Sequence, residues 1–219
     1  MEKLTNLPKY THKEEVANSL THLAGSLCAI GLIISLIIFN ITRSLSFFYV
    51  LPFYIYAIGM LTMFATSTLY HSAPLNSRYR AVIRIIDHCD IFFFVAATYT
   101  PICVHNLATY PNNLIMLLIE WVFTVVGIIL NIISLTNKPI KIISFVMYII
   151  TGWLLIFFYP FGCGIPLITF LFILIGGVIY SAGSIAYAIG SKKKWYHTIF
   201  HITVLLAAVL QFIGIYFLL

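Results

Sequence analysis

Seven long apolar runs constrain this chain more than any other feature. They cover roughly 20–40, 46–70, 84–105, 113–135, 140–159, 165–189 and 197–219. A helix needs about 20 apolar residues to cross a bilayer core, whereas a barrel strand needs only about 10. Backbone polar groups in lipid must be satisfied internally, so only helices and closed barrels span membranes. These runs are too long for barrel strands. Breaker signals separate them: Ala73-Pro74, Tyr110-Pro111-Asn112-Asn113, Asn137-Lys138-Pro139 and Gly162-Cys163-Gly164-Ile165-Pro166. The expectation is an all-α membrane protein: a seven-transmembrane-helix bundle forming a single domain over 1–219, with 1–19 as a cytoplasmic N-terminal segment. The connections are too short for a second domain.

Composition closes the alternatives. Apolar residues make up 62% of the 219 and charged residues 8%, against about half and a quarter in soluble domains. So few charges cannot coat a water-soluble enzyme. The net charge of +6 rests on 12 basic and 6 acidic residues, too thinly spread to track a phosphate backbone, so nucleic acid is excluded as a partner. Cys28, Cys89, Cys103 and Cys163 show no paired spacing and read as small buried apolar residues. The first run is long enough to be a retained span, so no cleavable leader is expected.

Charge placement predicts the orientation. Lys3, Lys9 and Lys13 precede the first run; Arg78, Arg80 and Arg84 fall in the 2–3 connection; Lys138 and Lys141 in the 4–5 connection; Lys192, Lys193 and Lys194 in the 6–7 connection. All share one side, and Arg43 alone lies on the other. The positive-inside rule then puts the N-terminus in the cytoplasm and the C-terminus outside. A multi-pass protein of a bacterial inner membrane fits this pattern.

Ionisable residues in or near membrane spans are costly and tend to be functional. Glu14, Asn18 and His22 are spaced i, i+4, i+8 and share one helical face, with Glu15 beside them. Ser67 and His71 close the second run at i, i+4. Asp87, His88 and Asp90 open the third. His197 and His201 open the seventh, again at i, i+4. The predicted topology puts all four clusters at one depth near the cytoplasmic face. A metal ion suits such a set: a catalytic zinc takes three protein ligands and leaves one position open. His71, His197 and His201 supply three imidazoles, and Asp87 offsets the charge. His88 points about 100° away from Asp87 on a helix and is left out. Glu120, about 10 Å into the fourth run at 1.5 Å per residue, reads either as a hydrogen-bonded core carboxyl or as part of a proton or cation path. Asn131 and Gln211 read as interhelical hydrogen-bonding residues. Gly177/Ser181 and Ser184/Ala188 read as small-residue packing pairs, and Pro52 and Pro101 as kink positions.

The set Glu14-Glu15-x-x-Asn18-x-x-Thr21-His22, then Ser67-x-x-x-His71, Asp87 and His197-x-x-x-His201 resembles the hemolysin III branch of the progestin and adipoQ receptor superfamily. The strings Ser67-Thr68-Leu69-Tyr70-His71-Ser72, Ile86-Asp87-His88 and Ala97-Thr98-Tyr99-Thr100-Pro101 are similar as well. The resemblance spans 14–201. It implies seven helices with a cytoplasmic N-terminus, and a zinc ion on His71, His197 and His201. The positions of Asp87 and Ser67 then hold the metal's water or lie close to it. Gln211 and Thr198 stand where many relatives carry His and Glu.

Three functions follow as expectations. The first is a zinc-dependent hydrolase of lipid amides or esters, acting in membrane-lipid homeostasis with Asp87 as general base and Ser67 as hydrogen-bond donor. The second is a non-enzymatic sensor or receptor with structural zinc, closed by a fourth ligand from Glu14, Glu15 or His22. The third, a pore-forming haemolysin, ranks last because the polar residues cluster at one end instead of lining a path. Membrane lipids are the expected partners, as substrate or ligand, and a homo-oligomer stays open.

Overall fold

A computed structural model describes residues 10–190 and 193–219. Lys3, Lys9 and Lys192 lie outside the described residues. Among the described residues every regular element is helical. The elements are α1 (His12–Arg43), α2 (Phe47–Ser72), α3 (Arg78–Val104), α4 (Asn112–Ile133), α5 (Lys138–Gly152), α6 (Leu154–Phe158), a 3₁₀ turn (Tyr159–Phe161), α7 (Leu167–Gly190) and α8 (Tyr196–Tyr216).

Five helices, α1, α2, α4, α7 and α8, are long and apolar enough to cross a membrane, and α5 with α6 makes a sixth if that bent pair is one span. Their outward faces are lined by exposed Leu, Ile, Val and Phe, as expected of a multi-pass integral membrane protein. α3 spans 27 residues but falls outside that count, because its first half carries three arginines and two aspartates.

Several boundaries depart from the apolar runs. α1 starts at His12, eight positions before the run beginning at 20. Thr11 and Glu14 form a reciprocal capping box, which starts the helix within the polar segment. α3 likewise begins at Arg78, capped by Ser77. Arg80 and Arg84 are therefore buried helical residues rather than connection charges.

Pro52 and Pro101 sit inside α2 and α3 without interrupting them. The bend falls instead between α5 and α6, at 42°. There the Tyr99 hydroxyl donates to the Gly152 carbonyl (3.2 Å) and accepts from the Leu155 N–H (3.1 Å). One α3 side chain thus satisfies backbone groups that a break would otherwise leave unpaired in an apolar interior.

α1 lies against α2 and α8, α2 against α3, α3 against α4, and α7 against α8. Small residues set these distances. A Cβ on Gly127 would come within 2.3 Å of the Phe92 ring, and one on Gly183 within 2.2 Å of Thr203 Oγ1. Gly176 and Gly183 are the close-approach positions of α7 toward α8. Gly177 and Ser181 face Trp153 at the α5–α6 bend instead, where Trp153 Nε1 donates to Ser181 Oγ at 3.1 Å.

Candidate metal centre

The start of α1, the end of α2 and the start of α8 meet at one end of the bundle. Three rungs join α1 to α8. Glu14 Oε1 accepts from the Trp195 N–H (2.6 Å), Asn18 Oδ1 accepts from Thr198 Oγ1 (2.6 Å), and the His22 ring stacks on His201 with centroids 3.8 Å apart. The i, i+4, i+8 face of α1 is therefore the one laid on α8. These contacts set the depth of His197 and His201 against α2.

His71, His197 and His201 are buried, and their ligand atoms all lie within 4.8 Å of one another. His197 Nε2 is 3.4 Å from His71 Nε2 and 3.1 Å from His201 Nε2. Glu15 settles the tautomer of His71: His71 Nδ1 donates to Glu15 Oε2 at 2.6 Å, since an ionised carboxylate only accepts. A neutral His71 then presents the Nε2 lone pair to its neighbours. Ring nitrogens facing one another this closely repel unless a proton or cation lies between them. Tetrahedral zinc with Zn–N bonds of 2.0–2.1 Å sets nitrogen separations of roughly 3.3 Å, which the two distances match. The donor set fits a metal ion.

Behind His71 the chain of contacts continues. Glu15 also ion-pairs with Arg80, whose Nη1 donates to the Ala73 carbonyl at 3.0 Å and whose guanidinium lies 4.6 Å from the Tyr70 ring centroid. Arg80 is 1% exposed. A carboxylate on the outer nitrogen of a metal-ligating histidine fixes the ring and raises its basicity. Glu14 and Glu15, candidates for a fourth ligand, are engaged elsewhere: Glu14 by Thr11 and Trp195, Glu15 by His71 and Arg80.

Ser67 is buried one turn before His71. Asp87 is half-buried and outside the three-histidine group; its carboxylate lies 3.5 Å from His88 Nδ1 and interacts electrostatically with His71, His22 and His197. The helical offset between Asp87 and His88 does not keep their side chains apart. Asp90 accepts from Thr66 Oγ1 at 2.8 Å, an α2–α3 link away from the histidines.

Two participants carry no sequence signal of their own. Arg80 is one basic residue among several until α3 buries it. Tyr10 stacks on the His197 ring (4.6 Å, 15°) and sits 5.9 Å from that of His71. Burial pushes its phenol up from the ordinary tyrosine value, so the hydroxyl keeps its proton. Beside it opens a cleft of about 440 Å³, whose lining includes the polar Tyr10, Glu15, His71 and Arg80 and the apolar Val16 and Leu20.

The haemolysin-III related family matches residues 10–212. The Hemolysin-3 homolog of Bacillus subtilis (strain 168) is 32% identical over 209 residues, covering 95% of this chain and 95% of the relative. Hemolysin-3 of Bacillus cereus is 32% identical over 217 residues, covering 99% of this chain and 96% of the relative.

Proposed function

Because this chain belongs to the haemolysin-III related family, we propose that it is a seven-span membrane protein holding one zinc ion on His71, His197 and His201 and hydrolysing an amide or ester of a membrane lipid. The observation that carries the metal is the convergence of three buried imidazoles with nitrogens 3.1 and 3.4 Å apart. α3 is the seventh span in this reading. Its polar first half is accommodated because it faces protein, as the buried Arg80 and Arg84 illustrate.

Zinc, when bound, supplies a Lewis acid that polarises a carbonyl and makes hydroxide available near neutral pH. The chain's residues do the rest. Glu15 and Arg80 hold His71 in register. Asp87, beside the cluster but not in it, is placed to take a proton as general base. Ser67 donates a hydrogen bond toward the reacting oxygen. The cleft beside His71, lined in part by Val16 and Leu20, admits a lipid from the bilayer side. In this reading the histidine end faces the cytoplasm, consistent with exposed Lys13, Lys138, Lys141, Lys193 and Lys194, and the membrane is a bacterial inner membrane.

One observation favours a second reading. His22 is buried against His201 and neither of its ring nitrogens has a hydrogen-bond partner among the described residues. A small shift would make it a fourth ligand and close the site as a structural one, suited to a sensor. Purified protein in lipid vesicles separates the two. The hydrolase requires about one zinc per chain, release of fatty acid from ceramide or phospholipid, and an Asp87→Ala variant that keeps zinc and loses hydrolysis. Full zinc with no hydrolysis of any acyl amide or ester, together with zinc loss in His22→Ala, would establish the sensor instead.

A further inference from the structure

Beyond the exposed Asn112 at its start, α4 carries its Asn, Glu and Thr side chains on one buried face. Asn113, Met116, Glu120, Thr124, Gly127 and Asn131 recur at steps of three and four and are all buried, so they form a single stripe. From Asn113 to Asn131 it runs about 27 Å at 1.5 Å per residue. Polar residues therefore do not gather only at the histidine end.

Most of the stripe is hydrogen-bonded. Asn131 donates to the His88 carbonyl (3.1 Å) and accepts from Ser144 Oγ (3.1 Å), and the His88 ring in turn neighbours Asp87. Thr124 donates to the Phe92 carbonyl (3.0 Å). At the other end Asn113 donates to the Cys163 carbonyl (3.0 Å). Glu120 differs. It is 1% exposed, and neither carboxyl oxygen has a hydrogen-bond partner among the described residues. From α3, Tyr99 and Cys103 lie within electrostatic reach of it, as Cys163 does of Cys103. Toward the α5–α6 bend, the Tyr99 hydroxyl is already engaged with backbone. Among the described residues no lysine, arginine or histidine interacts with it. An ionised carboxylate cannot be held in such surroundings without a counter-charge; it takes up a proton instead.

We propose that Glu120 is a proton-binding site, separate from the histidine cluster, carrying an exchangeable proton midway along a polar stripe that ends beside the His88–Asp87 pair. The proton comes from water and returns to it. No other bond is made or broken.

Infrared difference spectroscopy on the full-length protein in lipid vesicles tests this. Wild type at pH 7 is expected to show the carbonyl-stretch band of a protonated carboxyl that downshifts within minutes of transfer into deuterated buffer. The band should be absent from Glu120→Gln and displaced, but present, in Glu120→Asp. Equal metal content in all three proteins checks the fold, and if Glu120→Gln does not fold, the displacement in Glu120→Asp makes the assignment alone. A spectrum with no Glu120-dependent band overturns the proposal. So does a band that never exchanges, which makes the proton a sealed structural one, and so does a band abolished by sodium ions, which makes the site a cation site.

Discussion

The two polar regions of this bundle handle buried charge in opposite ways. At the histidine end Glu15 is shared between His71 and Arg80, and Glu14 between Thr11 and Trp195. At the ninth residue of α4, Glu120 has no such partner among the described residues. Shared charges build a rigid frame, because breaking one contact strands its partner in low dielectric. A lone carboxyl does the reverse: it stays inexpensive only while neutral, so its proton is what the surroundings control. On the proposed reading, the difference separates a site that could hold a cation in place from one that would hold and release a proton.

Breaking the shared end should have the largest effect. Arg80→Ala leaves Glu15 buried without its counter-charge, and removal of one partner of a buried pair costs about 3–5 kcal/mol. Thermal unfolding of the vesicle-reconstituted protein should fall accordingly; an unchanged midpoint would mean Arg80 is not a frame residue. Glu15→Gln keeps the shape but removes the carboxylate behind His71. Metal affinity should drop about 10–100-fold, the usual consequence of losing an outer-shell partner, as read by chelator competition, while the fold persists. The smallest effect belongs to the far region. Tyr99→Phe removes the hydroxyl that bridges the α5–α6 bend, orphans two backbone groups, and should cost about 1–3 kcal/mol in unfolding without changing metal affinity. A loss of metal in Tyr99→Phe would erase the separation between the regions.

Much of the histidine end is visible in the chain because its signals are local. The spacing of Glu14, Asn18 and His22 reads as one helical face, and that face is the one α1 lays on α8. The His197/His201 pair is likewise an i, i+4 pattern. The Thr11-x-x-Glu14 capping box that starts α1 is also written locally, although the apolar run begins only at residue 20. Arg80 is different. Nothing distinguishes it from Arg78, two residues earlier, until the turn of α3 points one side chain inward and leaves the other outside. Gly177/Ser181 and Gly176/Gly183 are equally plausible packing pairs by spacing, and only the position of Trp153 decides which of them meets α8.

The amino-acid order alone determined that the chain is helical, that it belongs in a membrane, and which histidines are candidates for one ion. Those properties follow from hydropathy and from a 3.6-residue period, both read over a few consecutive positions. The tertiary structure decided which acid supports His71, that Arg80 lies behind it, that Tyr10 covers His197, that the bend falls at Trp153, and that Glu120 has no hydrogen-bond partner among the described residues. Each of these depends on contacts between residues tens of positions apart, and in a bundle of similarly apolar helices no local pattern specifies which faces meet.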